Sequence, residues 1–169
     1  GRVYDRFRNR IMIPIRDSRG RMAGFGARIL ISEGETPSGQ TLAKFINSPQ
    51  TELFDKSALL YGLDRARKAM RETGVAVLVE GYMDVMAAHL AGFENVVSPM
   101  GTALTERQLR LLERFARRLV LALDPDVAGD KAVLRGLEVA RDTLDRDTAP
   151  TFNPRGLVRN EGQLKLDIR

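Results

Sequence analysis

Cysteine and tryptophan are absent from this 169-residue chain, and there is a single histidine. These absences exclude a disulfide framework, a thiol nucleophile, an iron–sulfur cluster and a zinc site built from cysteines and histidines. Aromatics are sparse, at 6%, so an aromatic-lined binding surface is not the default reading. Apolar runs reach only about five residues, as at Leu119–Leu123, far short of the roughly 20 a membrane-spanning helix needs. No basic–apolar–small leader opens the sequence, and a cytoplasmic location is expected. Metal chemistry, if used, must rest on carboxylates, which favour Mg2+ or Mn2+.

What is present is charge, unevenly placed. Lys plus Arg is 27 and Asp plus Glu 22, a formal +5. Residues 1–28 hold eight arginines against Asp5 and Asp17, a net +6, so the remaining chain carries a net −1. An excess confined to one stretch suits a polyanion-binding surface, and equally a solvated arginine-rich face.

Two patterns follow along the chain. Residues 11–30 predict a β-hairpin around the turn Asp17-Ser18-Arg19-Gly20, with Gly24 and Gly26 marking a bulge or a close backbone approach. Residues 32–52, rich in Ser, Gly, Pro and Thr, read as a loop, and a helix is expected from Ser57 to Glu72. Strand–helix alternation then begins. Expected strands lie at 75–79, 95–98, 118–123 and 164–168, and expected helices at 83–91, after Thr105, and at 128–144, with 145–162 loop-like. Thr105 and Gln108 have capping-box spacing, and Leu104 with Leu109 forms a hydrophobic staple. The expected fold is α/β: a parallel, Rossmann-type sheet with helices on both faces over 74–169, preceded by a smaller basic α+β lobe over 1–73.

Ligands of open parallel sheets bind beyond the carboxyl ends of the strands. Two strands here run into acid: Val79 into Glu80, with Asp84 one helical turn on, and Leu123 into Asp124-Pro125-Asp126. If those strands are neighbours, Glu80, Asp124 and Asp126 share a rim. Clustered carboxylates repel one another unless a cation neutralises them, and a hard divalent cation bound to phosphates is the natural partner. Read singly, each acid is a helix cap.

The segments Leu78-Val79-Glu80-Gly81-Tyr82-Met83-Asp84-Val85 and Leu123-Asp124-Pro125-Asp126 resemble the paired acidic motifs of the TOPRIM fold, shared by topoisomerases, bacterial primases and some nucleases. Arg6 to Ile15, Phe45-Ile46-Asn47-Ser48-Pro49, Phe54-Asp55-Lys56-Ser57, Leu60-Tyr61-Gly62-Leu63 and Gly101-Thr102-Ala103-Leu104-Thr105 narrow the resemblance to the RNA-polymerase core of bacterial DnaG-type primases. It extends over about residues 2–144. The resemblance implies synthesis of short RNA primers on a single-stranded DNA template from ribonucleoside triphosphates. It assigns Glu80, Asp124 and Asp126 as catalytic acids that hold Mg2+ or Mn2+, with Asp84 close by. Arg6, Arg8, Lys44, Asn47 and Lys56 become nucleic-acid or nucleotide contacts. It further implies a fragment of a longer protein whose zinc-binding and helicase-binding domains lie elsewhere, so no zinc is expected here. The replicative helicase and single-strand-binding protein are then partners reached through those other domains.

Two departures stand out. Phe45 occupies a position where the family commonly has tyrosine, and the sequence stops at Arg169 before a further acidic motif that usually follows the last TOPRIM strand. Rival readings are another TOPRIM enzyme, a topoisomerase or nuclease piece, and a non-catalytic nucleic-acid-binding module. A topoisomerase needs a transesterifying tyrosine from among Tyr4, Tyr61 and Tyr82. His89 reads as structural, the row Arg107, Arg110, Arg114 and Arg117 as a solvated helix face, and Tyr82 and Phe25 as packing residues. Gly101-Thr102 reads as a βα turn.

Overall fold

A computed structural model describes residues 5–30, 43–100, 104–122 and 165–168. The elements in order are β1 (Arg10–Arg16), β2 (Met22–Ile29), β3 (Phe45–Asn47), β4 (Leu60–Tyr61), α1 (Leu63–Thr73), β5 (Val75–Leu78), α2 (Tyr82–Leu90), β6 (Val96–Pro99), α3 (Glu106–Glu113), β7 (Arg118–Leu121) and β8 (Lys165–Ile168). They form a three-stranded antiparallel sheet, β1-β2-β3, and a five-stranded sheet ordered β4-β6-β5-β7-β8.

The hairpin β1–β2 closes where expected. The Asp17 carboxylate accepts the Arg19 and Arg21 amides at 2.9 and 3.0 Å, satisfying turn donors that strands leave free. The register shift falls between Ile15 and Arg16. On β2 that shift skips Ala23, so Gly24 borders the irregularity, and both glycines also mark close approaches: a Cβ on Gly24 would sit 2.4 Å from Phe54 Cδ2, and one on Gly26 3.1 Å from Tyr82 Cζ. Two sequence expectations need correction. The supposed loop 32–52 contains β3, whose three residues are too short to show alternation and owe their extended form to pairing with β2; residues 31–42 lie outside the described set. The helix expected from Ser57 begins only at Leu63. Gly62 adopts φ 82°, a left-handed conformation that ends any run through it. Upstream, Leu60 pairs with Pro99, and Leu59 and Leu60 reach the core from non-helical backbone.

In the larger sheet β5 pairs in parallel with both β6 and β7, and β7 with β8, while β4 adds an antiparallel edge. The sheet is therefore mixed rather than wholly parallel. Ala76, Leu78, Val97, Leu119 and Leu121 bury one face under Leu63, Ala66 and Met70 of α1 and Leu109 and Leu112 of α3. At about 25 cal/mol per Å2, each fully buried Leu contributes roughly 2 kcal/mol, so this cluster dominates the fold. A second cluster joins the two sheets: Ile13, Ile15, Phe54, Leu59, Tyr82 and Met100. α3 carries the foreseen capping box, with Thr105 Oγ1 accepting the Gln108 amide at 3.2 Å and the Gln108 side chain accepting the Thr105 amide at 3.0 Å. Leu104 and Leu109 both enter the core, as the staple requires. The expected helix 128–144 lies outside the described residues. Among the described residues no helix is long and apolar enough to cross a membrane.

Candidate active site

From β5 the chain passes through α2 to β6 on one side, and later enters β7 on β5's other side. Such a switch point opens a crevice at the strand ends. Leu78 and Leu121 are register partners, and the Ala122 amide donates to the Leu78 carbonyl at 2.9 Å. The ends of the two strands thus lie side by side at Leu78 and Leu121–Ala122, from which the sequence runs on to Glu80 and to Asp124, and this is the condition on which the shared rim depends. Asp124 and Asp126 themselves lie outside the described residues.

Glu80 follows β5 and lines a pocket of about 410 Å3 with Arg28, Lys44, Phe45, Tyr82 and Asp84. Asp84 reaches this space because α2 starts at Tyr82. Its carboxylate also caps α2, with Oδ2 accepting the Gly81 amide at 3.0 Å. No group of three metal-capable side chains occurs among the described residues. The donor chemistry at this rim is carboxylate oxygen, which suits a hard divalent cation.

A second pocket, about 510 Å3, is lined by Arg6, Phe45, Asn47, Gln50, Lys56 and Tyr82 among others. Phe45 and Tyr82 belong to both pockets and stand edge to face, with ring centroids 5.7 Å apart. They form a partition between a half that carries both acids and bases and a half whose charged lining, Arg6 and Lys56, is basic only. Arg28 lies 5.8 Å from the Phe45 ring. Phe45 is 37% exposed, whereas Tyr82 is buried and its hydroxyl donates to Asn47 Oδ1. Burial pushes the Tyr82 hydroxyl up, against the opposing pull of Asn47, so it remains a donor. Asn47 also donates to the Met100 carbonyl at 3.4 Å. Its amide therefore bridges β3 to the larger sheet in addition to lining the groove.

The remaining candidates are spread over both pockets and their margins. Arg6 and Lys56 share the second pocket, and Lys44 sits with Glu80 in the first. Arg8 Nε donates to the Asp5 carbonyl at 3.1 Å, tying down the turn that leads to β1. His89 contacts the Val96 carbonyl through Nε2 at 2.9 Å, a structural role. Arg107 keeps to the solvated face, its side chain 66% exposed, and there it pairs with Asp55 and reaches Ser57 Oγ at 3.3 Å. Sequence periodicity marks Arg107 as outward-facing but gives no sign of a partner 52 positions away.

Residues 1–67 match the family of the DNA primase catalytic core, N-terminal domain, and residues 74–149 match the Toprim domain. The chain belongs to the DnaG-type primase catalytic core family. The DNA primase of Synechococcus elongatus is 48% identical over 141 residues, covering 82% of this chain and 19% of that protein. That of Pseudomonas putida is 42% identical over 169 residues, covering 96% and 24%. The chain thus spans about a fifth to a quarter of these relatives' length. Among solved structures, the Escherichia coli primase catalytic core superposes with a TM-score of 0.75 at 38% identity, covering all of this chain and 47% of that one. A DnaG primase catalytic domain bound to single-stranded DNA gives 0.74 at 37%, again covering all of this chain and 47% of its own. The DnaG-type core accounts for the mixed sheet and for the small antiparallel sheet before it.

Proposed function

We propose that this chain is the catalytic part of a bacterial DNA primase, joining ribonucleotides on a single-stranded DNA template to make short RNA primers. The observation that carries the reading is the β5–β7 register, which sets Glu80 beside the strand that leads into Asp124-Pro125-Asp126. The reaction is attack of a 3′-hydroxyl on the α-phosphate of an incoming ribonucleoside triphosphate, with pyrophosphate leaving. Glu80, Asp124 and Asp126 would hold Mg2+ or Mn2+, with Asp84 adjacent. When bound, such a cation supplies charge neutralisation at the phosphate and lowers the pKa of the attacking hydroxyl.

The chain's own residues bind and orient. Arg6, Arg8 and Lys56 contact template or primer phosphates, the arginines bidentately and the lysine as a point charge. Lys44 faces a nucleotide phosphate from the Glu80 side of the Phe45–Tyr82 partition. Asn47 holds Tyr82 upright in that partition and presents its amide edge to the groove. Residues 1–73 act as a basic lobe and 74–169 as the TOPRIM unit. Helicase and single-strand-binding protein are partners of the longer protein, in the bacterial cytoplasm.

The test is a Mn2+ titration of 15N-labelled chain. Amides of Glu80, Gly81, Asp124 and Asp126 should broaden first, and Asp124→Ala plus Asp126→Ala should abolish the effect. Uniform broadening, or none, overturns the metal-site reading. Ribonucleotide incorporation on a single-stranded template by the longer protein, lost with the same substitutions, tests the reaction.

A further inference from the structure

Lys56 sits in a segment with no regular secondary structure, between Pro49 and β4, yet the segment is densely tied down. From α3, Gln108 Nε2 donates to the Lys56 and Leu59 carbonyls at 2.9 and 2.8 Å, and the capping residue Thr105 donates through Oγ1 to the Ser57 carbonyl at 2.6 Å. Gln108 is wholly buried. Arg107 pairs with Asp55, whose Oδ1 also accepts from Ser57 Oγ at 2.7 Å, the Ser57 amide at 3.0 Å and Gln50 Nε2 at 3.0 Å. Gln50 in turn accepts the Lys56 amide at 3.4 Å. Thr105, Arg107 and Gln108, at the start of α3, thus grip one turn of chain about fifty residues earlier. The backbone on both sides of Lys56 is held, while Lys56 itself lines the groove.

We infer that the first turn of α3, through Asp55, is a positioning clamp that fixes Lys56 in the nucleic-acid groove. Arg107, Gln108 and Asp55 are positioning residues here and touch no substrate themselves. Entropy supplies the reason. Lysine has a long stem whose rotamer freedom is given up on binding, and a loop backbone free to move would add its own ordering cost. A loop already ordered by the clamp leaves only the stem to be fixed when a phosphate arrives. The inference rests on the nucleic-acid reading of Lys56.

Charge separates the clamp from direct electrostatics. Asp55→Ala removes a negative charge near a groove proposed to hold a polyanion, so simple electrostatics makes binding tighter. Loss of positioning makes it weaker. Binding of a fluorescein-labelled oligo(dT) to the 169-residue chain, followed by anisotropy across a salt series, reads the sign. Asp55→Ala and Arg107→Ala are each expected to weaken binding about threefold to tenfold and to lower the salt slope by about one, as loss of a phosphate contact does. Lys56→Ala should have the same effect, and adding it to Asp55→Ala should cost nothing more. Arg107→Lys should restore part of the loss, and amide exchange at Lys56 and Ser57 should speed in Asp55→Ala. Unchanged or tighter binding by Asp55→Ala, with Lys56→Ala weaker, overturns the clamp and leaves the nucleic-acid reading intact. Multiplicative losses in the double variant also overturn the clamp. A parent chain that binds no oligonucleotide overturns the nucleic-acid reading itself.

Discussion

Gly24→Ala probes how the antiparallel sheet seats the segment that carries Lys56. Gly24 lies in β2 opposite Ile15, in extended backbone that alanine tolerates. The obstacle is space: the new methyl would lie 2.4 Å from Phe54 Cδ2 and 3.0 Å from Cε2. Phe54 is 1% exposed and packs with Ile13, Ile15, Leu59 and Met100, so its ring has no open direction of retreat. An overlap of roughly 1 Å against ordinary contact costs about 2–3 kcal/mol by the measure of overpacked cores. Replacing glycine by alanine within a strand returns about 0.5–1 kcal/mol. The net loss is about 2 kcal/mol, or about 4–8 °C in Tm for a chain of this size. Urea and thermal unfolding of the parent, Gly24→Ala, Phe54→Leu and the double variant form a cycle. Phe54→Leu alone leaves a void, and the alanine methyl partly fills it, so the double variant should be more stable than the summed losses by at least about 1 kcal/mol. Additive losses, or a Gly24→Ala protein as stable as the parent, would refute the idea that this contact sets the sheet's position.

Three further outcomes are expected. Gly62→Ala combines a φ of 82° with a Cβ 2.8 Å from Val85 Cγ1, so it should destabilise by more than about 2 kcal/mol in urea unfolding. Asp84→Ala removes the acceptor of the Gly81 amide and should cost about 1 kcal/mol even without divalent cations; a loss seen only with metal present would contradict the capping role. For acid sensitivity, hydrogen bonds from Ser57 and Gln50, followed by the Ser57 amide and Arg107, hold the Asp55 carboxyl well below the usual carboxylate range against some desolvation. Its folded pKa being depressed, its stabilisation is complete above about pH 4 and is lost as pH falls through the folded value. Stability of Asp55→Asn, measured by urea midpoint below pH 4, should therefore fall less steeply with acid than that of the parent.

Much of the larger sheet is legible in the linear sequence because its causes are local. Val75 to Leu78 forms a continuous apolar run, the mark of a strand inside a parallel sheet, and Thr105 with Gln108 announces the start of α3 through a four-residue pattern. The hairpin turn is equally local, since Asp17 caps amides within four residues of itself. The acidic strand ends are visible as residue types in sequence, and the motif resemblance covers them directly. What tertiary structure decided involves partners distant in sequence. β3 exists because β2 lies beside it, and β4 because Pro99 and Ser98 offer it an edge. Nothing in residues 57–61 distinguishes the start of a helix from a short strand until Gly62 turns left-handed. The adjacency of β5 and β7 is a choice of sheet order, made by which apolar faces α1 and α3 cover together. Likewise Gly24 and Gly26 signal room for something, but only packing shows that Phe54 and Tyr82 occupy it. Arg107 and Asp55 carry opposite charges 52 positions apart, and Coulomb attraction has no sequence signature at that separation. Sequence thus determined the elements with short-range causes and the chemistry at their ends, while the fold alone decided which ends meet.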